Sequence, residues 1–203
     1  MAGTQVVDAI KLKGSTDIVA EYFYYGVNNI LYQRGIYPPE SFSEEKKFGL
    51  SLFVFEIEEL KKYFDDIMSH VKEWLANMML EKLVVVIRCA DTNEVLERWQ
   101  FDVEDDRPGT KENSNPAPKS EKTVREEIRA VMRQITATVT FLPLLETPCN
   151  FDVLVYTHKD LETPESWGET GPQFIANSSQ VRMRSFTTKI HKVDTCVSYK
   201  KTD

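Results

Sequence analysis

Lys82-Leu-Val-Val-Val-Ile-Arg-Cys89 is nearly all apolar and rich in β-branched residues, the pattern of a strand covered on both faces. Asp91-Thr92-Asn93-Glu94 follows as a turn. Val95-Leu-Glu-Arg-Trp-Gln-Phe-Asp-Val103 then alternates, setting Val95, Trp99, Phe101 and Val103 on one face. The two segments predict an antiparallel hairpin at the centre of a sheet.

Amphipathic segments flank this hairpin. Upstream, Ile57, Leu60, Tyr63, Phe64, Ile67, Met68, Val71, Trp74, Leu75, Met78 and Met79 form one apolar stripe, with charged residues opposite. Downstream, Val124, Ile128, Val131, Met132, Ile135, Val139 and Leu142 keep helical spacing behind the capping box Thr123-Val-Arg-Glu126. Ile135-Thr-Ala-Thr-Val-Thr-Phe141 also alternates with period two, so a strand competes with the helix there. Nearer the start, Ser15 or Thr16 caps a helix carrying Ile18, Val19, Tyr22, Phe23, Val27, Ile30 and Leu31, and Gly35 with Pro38-Pro39 ends it.

The remainder reads as strands and loops. Glu104–Lys122 holds no apolar residue larger than Ala117 and is an exposed loop. Cys149–Thr157 is a strand with Phe151, Val153 and Val155 on one side and Asp152, Leu154 and Tyr156 on the other. Asp160–Asn177 is a Gly/Pro loop that nevertheless carries Trp167, Phe174 and Ile175, so it is expected to pack down on the body. Val181–Tyr199 reads as one or two strands.

Composition bounds the function. The 203 residues suit one domain, and 41% apolar with 28% charged residues is ordinary for a globular protein. The net charge of −7 argues against nucleic acid as the main partner. That charge is uneven: Val181–Asp203 carries six cationic side chains against two carboxylates, leaving +4 there and −11 elsewhere. No apolar run approaches the roughly 20 residues of a membrane helix, and the first residues lack the apolar core of a signal peptide. Cys89, Cys149 and Cys196 are expected to be inert thiols in a reducing compartment, cytosolic or nuclear. No phosphate loop, HExxH, CxxC or GxSxG is present. A binding protein is therefore the leading expectation, with an assembled Cys149/His158 enzyme site as the rival from another class.

Five runs carry a resemblance: Ile30-Leu-Tyr-Gln-Arg-Gly-Ile-Tyr-Pro38, Val95-Leu-Glu-Arg-Trp-Gln-Phe-Asp102, Arg133-Gln-Ile-Thr-Ala-Thr-Val-Thr-Phe-Leu-Pro-Leu-Leu-Glu146, Gly171-Pro-Gln-Phe-Ile175 and Arg184-Ser-Phe-Thr-Thr188. Together they closely resemble the spindle-checkpoint members of the HORMA-domain family, over about Leu12 to Tyr199. The resemblance implies an α+β fold: a single HORMA domain, three helices packed on a mainly antiparallel β-sheet, with a mobile C-terminal safety belt. It implies a mobile N-terminal segment at 1–13, the domain at 14–197 with belt and hairpin at about 158–199, and a tail at 198–203. It also favours helix for Ile135–Phe141.

The resemblance further implies a non-enzymatic, two-state switch without cofactor or metal. In the closed form a captured peptide adds a strand to the sheet; in the open form the C-terminal hairpin covers that edge. The implied partners are the activator subunit of the anaphase-promoting complex, the coiled-coil protein mitotic arrest-deficient one, a second copy of the chain, a HORMA-like antagonist and a remodelling ATPase. Nucleic acid and membrane are not among them. The implied locations are nucleus, kinetochore, spindle and cytoplasm. Another HORMA adaptor, of the DNA-repair polymerase or meiotic axis type, is the alternative.

Residues are assigned on the same basis. Phe151, Val153, Val155, Tyr156, Trp167, Phe174 and His191 are expected at the peptide edge and belt. Arg133, Gln134, Phe141, Arg182 and Arg184 are expected in open–closed dimerisation, although Arg133 and Gln134 read locally as the polar side of a helix. Leu12, Trp74, Asp194, Thr195, Cys196, Val197 and Tyr199 are expected to govern the change of state. Thr170, Ser178 and Thr195 are candidate phosphorylation positions near the basic hairpin.

Overall fold

A computed structural model describes residues 10–107, 109, 117 and 119–201. Three helices, α1 (Leu12–Gln33), α2 (Glu58–Ala76) and α3 (Glu121–Val139), lie on one side of the main sheet. A hairpin of β1 (Phe42–Lys47) and β2 (Leu50–Phe55) forms a separate two-stranded sheet beside α1, where the sequence pattern predicts no element. The main sheet comprises β3 (Leu80–Cys89), β4 (Val95–Asp105), β5 (Cys149–Thr157), β6 (Ser178–Arg182), β7 (Phe186–Thr187) and β8 (His191–Lys200). Its order is β5-β3-β4-β8-β6, all antiparallel, with β7 pairing β8.

The expected hairpin of β3 and β4 lies at the centre. Val84, Val85, Val86 and Ile87 are fully buried, because helices cover one face and a loop covers part of the other. On the helix side, Tyr22, Phe23, Phe101 and Phe186 meet at centroid distances of 4.9–5.9 Å, mostly edge to face. Gly26 lies here, within 3.9 Å of Phe101 and Met132 from the position a Cβ would take.

Two helix starts differ from expectation. α1 begins at Leu12, not at Ser15 or Thr16, and its N-cap Lys11 supplies no side-chain bond. Ser15 and Thr16 are buried inside the first turns, and the helix takes in Leu12 and Lys13 of the segment 1–13; residues 1–9 of that segment lie outside the described residues. α3 is capped by Ser120, whose Oγ accepts the Thr123 N–H at 3.2 Å; Thr123 is thus the third helical residue and not the cap. Residues 135–139 are helical, and the helix stops at Val139, three residues before Leu142.

α1 ends as the glycine signal indicated. Gly35 has φ +64°, and the Ile36 N–H reaches the Leu31 carbonyl at 3.1 Å, the long bond of a Schellman motif. Next to this turn lies a buried ion pair. The Arg34 guanidinium binds both oxygens of Glu97 on β4, and also the Pro143 carbonyl at 2.6 Å. Trp99 Nε1 donates to the same carboxylate at 3.1 Å. α1, β4 and the segment after α3 are thereby joined at one point.

Candidate functional site

The site begins with an open edge. Among the described residues β5 pairs only with β3, so its other side offers a row of backbone groups without a strand partner there. The C-terminal hairpin lies at the opposite end of the sheet, with β8 on β4 and β6 on β8.

The chain leaves β5 and encircles this edge. The His158 N–H continues the ladder by donating to the Met79 carbonyl at 3.0 Å. Trp167 then packs on the helix side of the sheet. Its ring lies 5.1 Å from Trp74 and 5.9 Å from His70, edge to face with both. Seven residues later the same segment is on the other side. Strand alternation puts Arg98 opposite to Trp99 and Phe101, hence away from the helices. Arg98 Nε donates to the Pro172 carbonyl at 3.1 Å, and its guanidinium lies 5.1 Å from the Phe174 ring. Arg88 Nη1 donates to Gln173 Oε1 at 3.0 Å, while its Nε holds Asp152 at 2.9 Å. To pass from Trp167 to Arg98 the segment must round the free side of β5. It therefore forms a belt around the edge, and it joins β6 where Asn177 accepts the Lys201 N–H at 3.0 Å.

Between α2, β5 and the belt lies a groove of about 440 Å³ lined by residues including Tyr63, His70, Val153, Ser166 and Trp167. Tyr63, Val153 and Trp167 give it apolar lining, and Asp66 and Ser69 add polar groups; it lies beside β5, where an extended segment on that edge would run. Arg98, although an arginine, is only 4% exposed because the belt covers it. A buried cation needs such partners, and Pro172, Gln100 and Tyr156 provide them.

The structure brings together most of the residues expected at the edge and belt. Phe151, Val153 and Val155 pack toward the core, and Tyr156 faces the other side beside Arg98. Trp167 holds the belt down, and Trp74, expected in switching, is its anchor. Phe174 is 73% exposed and touches the body through Arg98.

His191 is not at this edge. It opens β8 and is buried, its Nδ1 2.6 Å from Ser15 Oγ and its Nε2 3.1 Å from the Leu75 carbonyl. Burial lowers its pKa, so the neutral ring accepts from Ser15 and donates to Leu75. Thr195 is likewise interior, 2% exposed and bonded to Tyr22 Oη at 2.6 Å. As placed here its hydroxyl is closed to a kinase, whereas Thr170 and Ser178 are exposed. The Cys149/His158 site does not form: the residues sit at opposite ends of a strand of 9 residues, roughly 30 Å long. His158 instead lies 3.8 Å from Glu81.

The remaining assigned residues form a second cluster. Gln134 Oε1 accepts the Arg184 backbone N–H at 2.7 Å, tying α3 to the segment before β7. Arg133 is exposed on the same helix and Phe141 is 63% exposed just beyond it. Arg182, exposed, is opposite Cys196 in the β6–β8 pair. In β8, Val197 is fully buried, Cys196 is buried, Asp194 pairs with Lys192 at 3.0 Å and Tyr199 lies partly covered. Leu12 is 40% exposed at the start of α1.

Sequence reasoning missed Arg88, Arg98 and Gln173, the residues that hold the belt to the sheet. The available signal was Arg88 on a strand face otherwise made of Val84 and Val86; Arg98 shares its face with Gln100 and Asp102 and carried no such mark.

Comparison with known proteins adds to this geometry. The mitotic spindle assembly checkpoint protein MAD2A of Homo sapiens is 57% identical over 191 residues, covering 94% of this chain and 93% of its own. The mitotic spindle checkpoint component mad2 of Schizosaccharomyces pombe is 43% identical over 200 residues, 98% of each chain. A chain in the crystal structure of a mitotic checkpoint complex superimposes with TM-score 0.84 at 44% identity, over 93% of this chain and 99% of that one. The HORMA domain profile matches residues 15–191, and with these relatives the chain belongs to the HORMA-domain family.

Proposed function

We propose that the protein is a spindle assembly checkpoint component that works by capturing an extended peptide along β5 under the belt. The observation that carries this reading is the unpaired outer edge of β5, enclosed by a belt anchored on both faces of the sheet. A peptide there gains main-chain hydrogen bonds from the edge and side-chain contacts in the groove. Because the belt surrounds it, both entry and release require the belt to open, so exchange is slow. The polymerase-adaptor and meiotic-axis alternatives are not favoured, since the relatives matched at 43–57% identity are checkpoint proteins.

The hairpin on β4 leaves the β5 edge free, which is the closed arrangement of the two-state reading. The open arrangement would move β6–β8 across to β5. The peptide donors proposed are the activator of the anaphase-promoting complex and the coiled-coil protein mitotic arrest-deficient one, at kinetochores and spindle, with nuclear and cytoplasmic pools. Arg133, Gln134, Phe141 and the Arg182–Arg184 segment form the proposed surface for a second, open copy, for the HORMA-like antagonist and for recruitment of the remodelling ATPase.

Hydrogen exchange tests the reading. Mixed with a synthetic peptide from the activator, the protein should bind and alternate amides of Cys149–Thr157 should exchange more slowly. Binding that leaves those amides unchanged, or no binding by either donor peptide, defeats it.

A further inference from the structure

Cys89 and Cys149 are 60 positions apart in sequence and directly opposite each other in the β3–β5 ladder. Their pairing is of the close kind. The Cys89 N–H donates to the Glu94 carbonyl and its own carbonyl accepts the Asn93 N–H, each at 2.9 Å. Both backbone groups of Cys89 thus point toward β4. On the β5 side the bond is instead made by the next residue, Ala90, to the Pro148 carbonyl at 2.8 Å. Cys89 and Cys149 are therefore a non-hydrogen-bonded antiparallel pair, with Cα atoms about 4.5 Å apart and both side chains on the same face. That spacing falls within the range a disulfide spans, about 4.4–6.8 Å.

The sulfurs also share a neighbour. Thr147 Oγ1 donates to Cys89 Sγ at 3.5 Å, and Cys149 Sγ donates to the Thr147 carbonyl at 3.2 Å. Both thiols are free in the structure. They are not equivalent: Cys89 is 6% exposed and Cys149 half-buried, and hydrogen bonds from Thr92 and Thr147 pull the Cys89 pKa down to about 7 against the opposing effect of its burial, whereas burial raises that of Cys149. The third cysteine, Cys196, is buried in β8 at the other end of the sheet.

We propose that Cys89 and Cys149 are a peroxide-sensitive dithiol that forms a reversible cross-strand disulfide. The Cys89 thiolate attacks hydrogen peroxide, breaking the O–O bond, forming Cys89 sulfenic acid and releasing hydroxide. The Cys149 thiol then attacks that sulfur, the S–S bond forms and water leaves. Two thiols are oxidised to one disulfide and one peroxide is reduced to two waters. A cellular thiol reductant reverses the step by exchange. The link ties the first residue of β5 to the last residue of β3, and it leaves the outer backbone edge of β5 untouched. It does not depend on whether that edge takes a peptide.

The test uses the full-length, fully reduced protein and a small excess of hydrogen peroxide. The expected product is a monomer lighter by two hydrogens, with Cys89 and Cys149 in one cross-linked fragment on non-reducing peptide mapping. Its midpoint of thermal unfolding should rise by about 5–10 °C, since the closed loop is long, and dithiothreitol should reverse the rise. Cys149→Ser should trap Cys89 as a sulfenic acid that dimedone labels, and Cys89→Ser should leave Cys149 unreacted over the same time. A cross-link through Cys196, intermolecular disulfides only, or Cys89→Ser reacting as fast as the parent overturns the proposal.

Discussion

Replacing Trp167 with alanine should loosen the belt and leave the sheet intact. Trp167 is held by Trp74 at 5.1 Å and His70 at 5.9 Å, both on α2. A Trp side chain buries on the order of 200 Å², worth about 5 kcal/mol at 25 cal/mol per Å² if fully covered. Trp167 is only partly covered, and a loop can resettle when it is removed. A loss of about 2–3 kcal/mol is the resulting estimate, including about 1 kcal/mol for the edge-to-face ring pair. If release waits on belt opening, the opening equilibrium sets the off-rate. The variant should then release a fluorescent peptide from the anaphase-promoting-complex activator roughly 30- to 150-fold faster. Stopped-flow displacement by excess unlabelled peptide measures this directly, with far-UV circular dichroism as the control for the fold. Unchanged dissociation from a normally folded variant would refute the claim that Trp167 latches the belt. Arg98→Ala, which frees the belt from the opposite face by removing contacts to Pro172 and Phe174, should act in the same direction.

Arg34→Leu strands the buried Glu97 carboxylate and should cost about 3–5 kcal/mol, read by urea unfolding; adding Glu97→Gln should recover part of it, and a single-variant loss below about 1 kcal/mol would show that the pair is not what joins α1 to β4. His191 contributes a pH dependence. Its folded pKa lies below the ordinary value, so the unfolded chain takes up a proton first as pH falls. Stability should therefore be greatest above about pH 6.5 and fall toward pH 5 by at most about 1.4 kcal/mol per pH unit from this group. Thermal unfolding of His191→Gln should show a flatter slope, and an unchanged slope would assign the dependence to other groups. Phe141→Ala, which removes a ring already 63% exposed, should leave thermal stability within about 0.5 kcal/mol yet weaken self-association in sedimentation velocity; an unaltered dimer would take Phe141 out of that interface.

Much of the fold was legible in sequence because its signals are local. β3 alternates nothing and is covered on both sides; β4 alternates and has one face on the helices, and each pattern is contained in a strand of 10 or 11 residues. The Gly35 stop was readable because glycine takes a left-handed conformation without strain; the same conformation at Met78, after α2, had no such signal. The α1 cap lies at Lys11, four or five residues before Ser15 and Thr16, because these ordinary capping types are used instead as buried hydroxyls, and Ser15 meets Thr188 and His191 from the far end of the chain. The β1–β2 hairpin was passed over because Ser43-Glu-Glu-Lys-Lys47 has no apolar alternation of its own and is held by pairing with β2.

Taken alone, the sequence determined three helices, a central β hairpin, a strand at Cys149–Thr157 and a Gly/Pro loop with large apolar residues. The helices and strands follow from periodicity, which a residue shares with its neighbours along the chain, and the loop follows from its composition. Only the tertiary structure decided which edge of the sheet is free, where His191 lies, that Arg88 and Arg98 clasp the belt, and that Cys89 faces Cys149. Strand order and register are set by contacts between segments 60 to 100 residues apart. No local pattern records them, because a strand's own alternation states which face is buried and not which strand stands beside it.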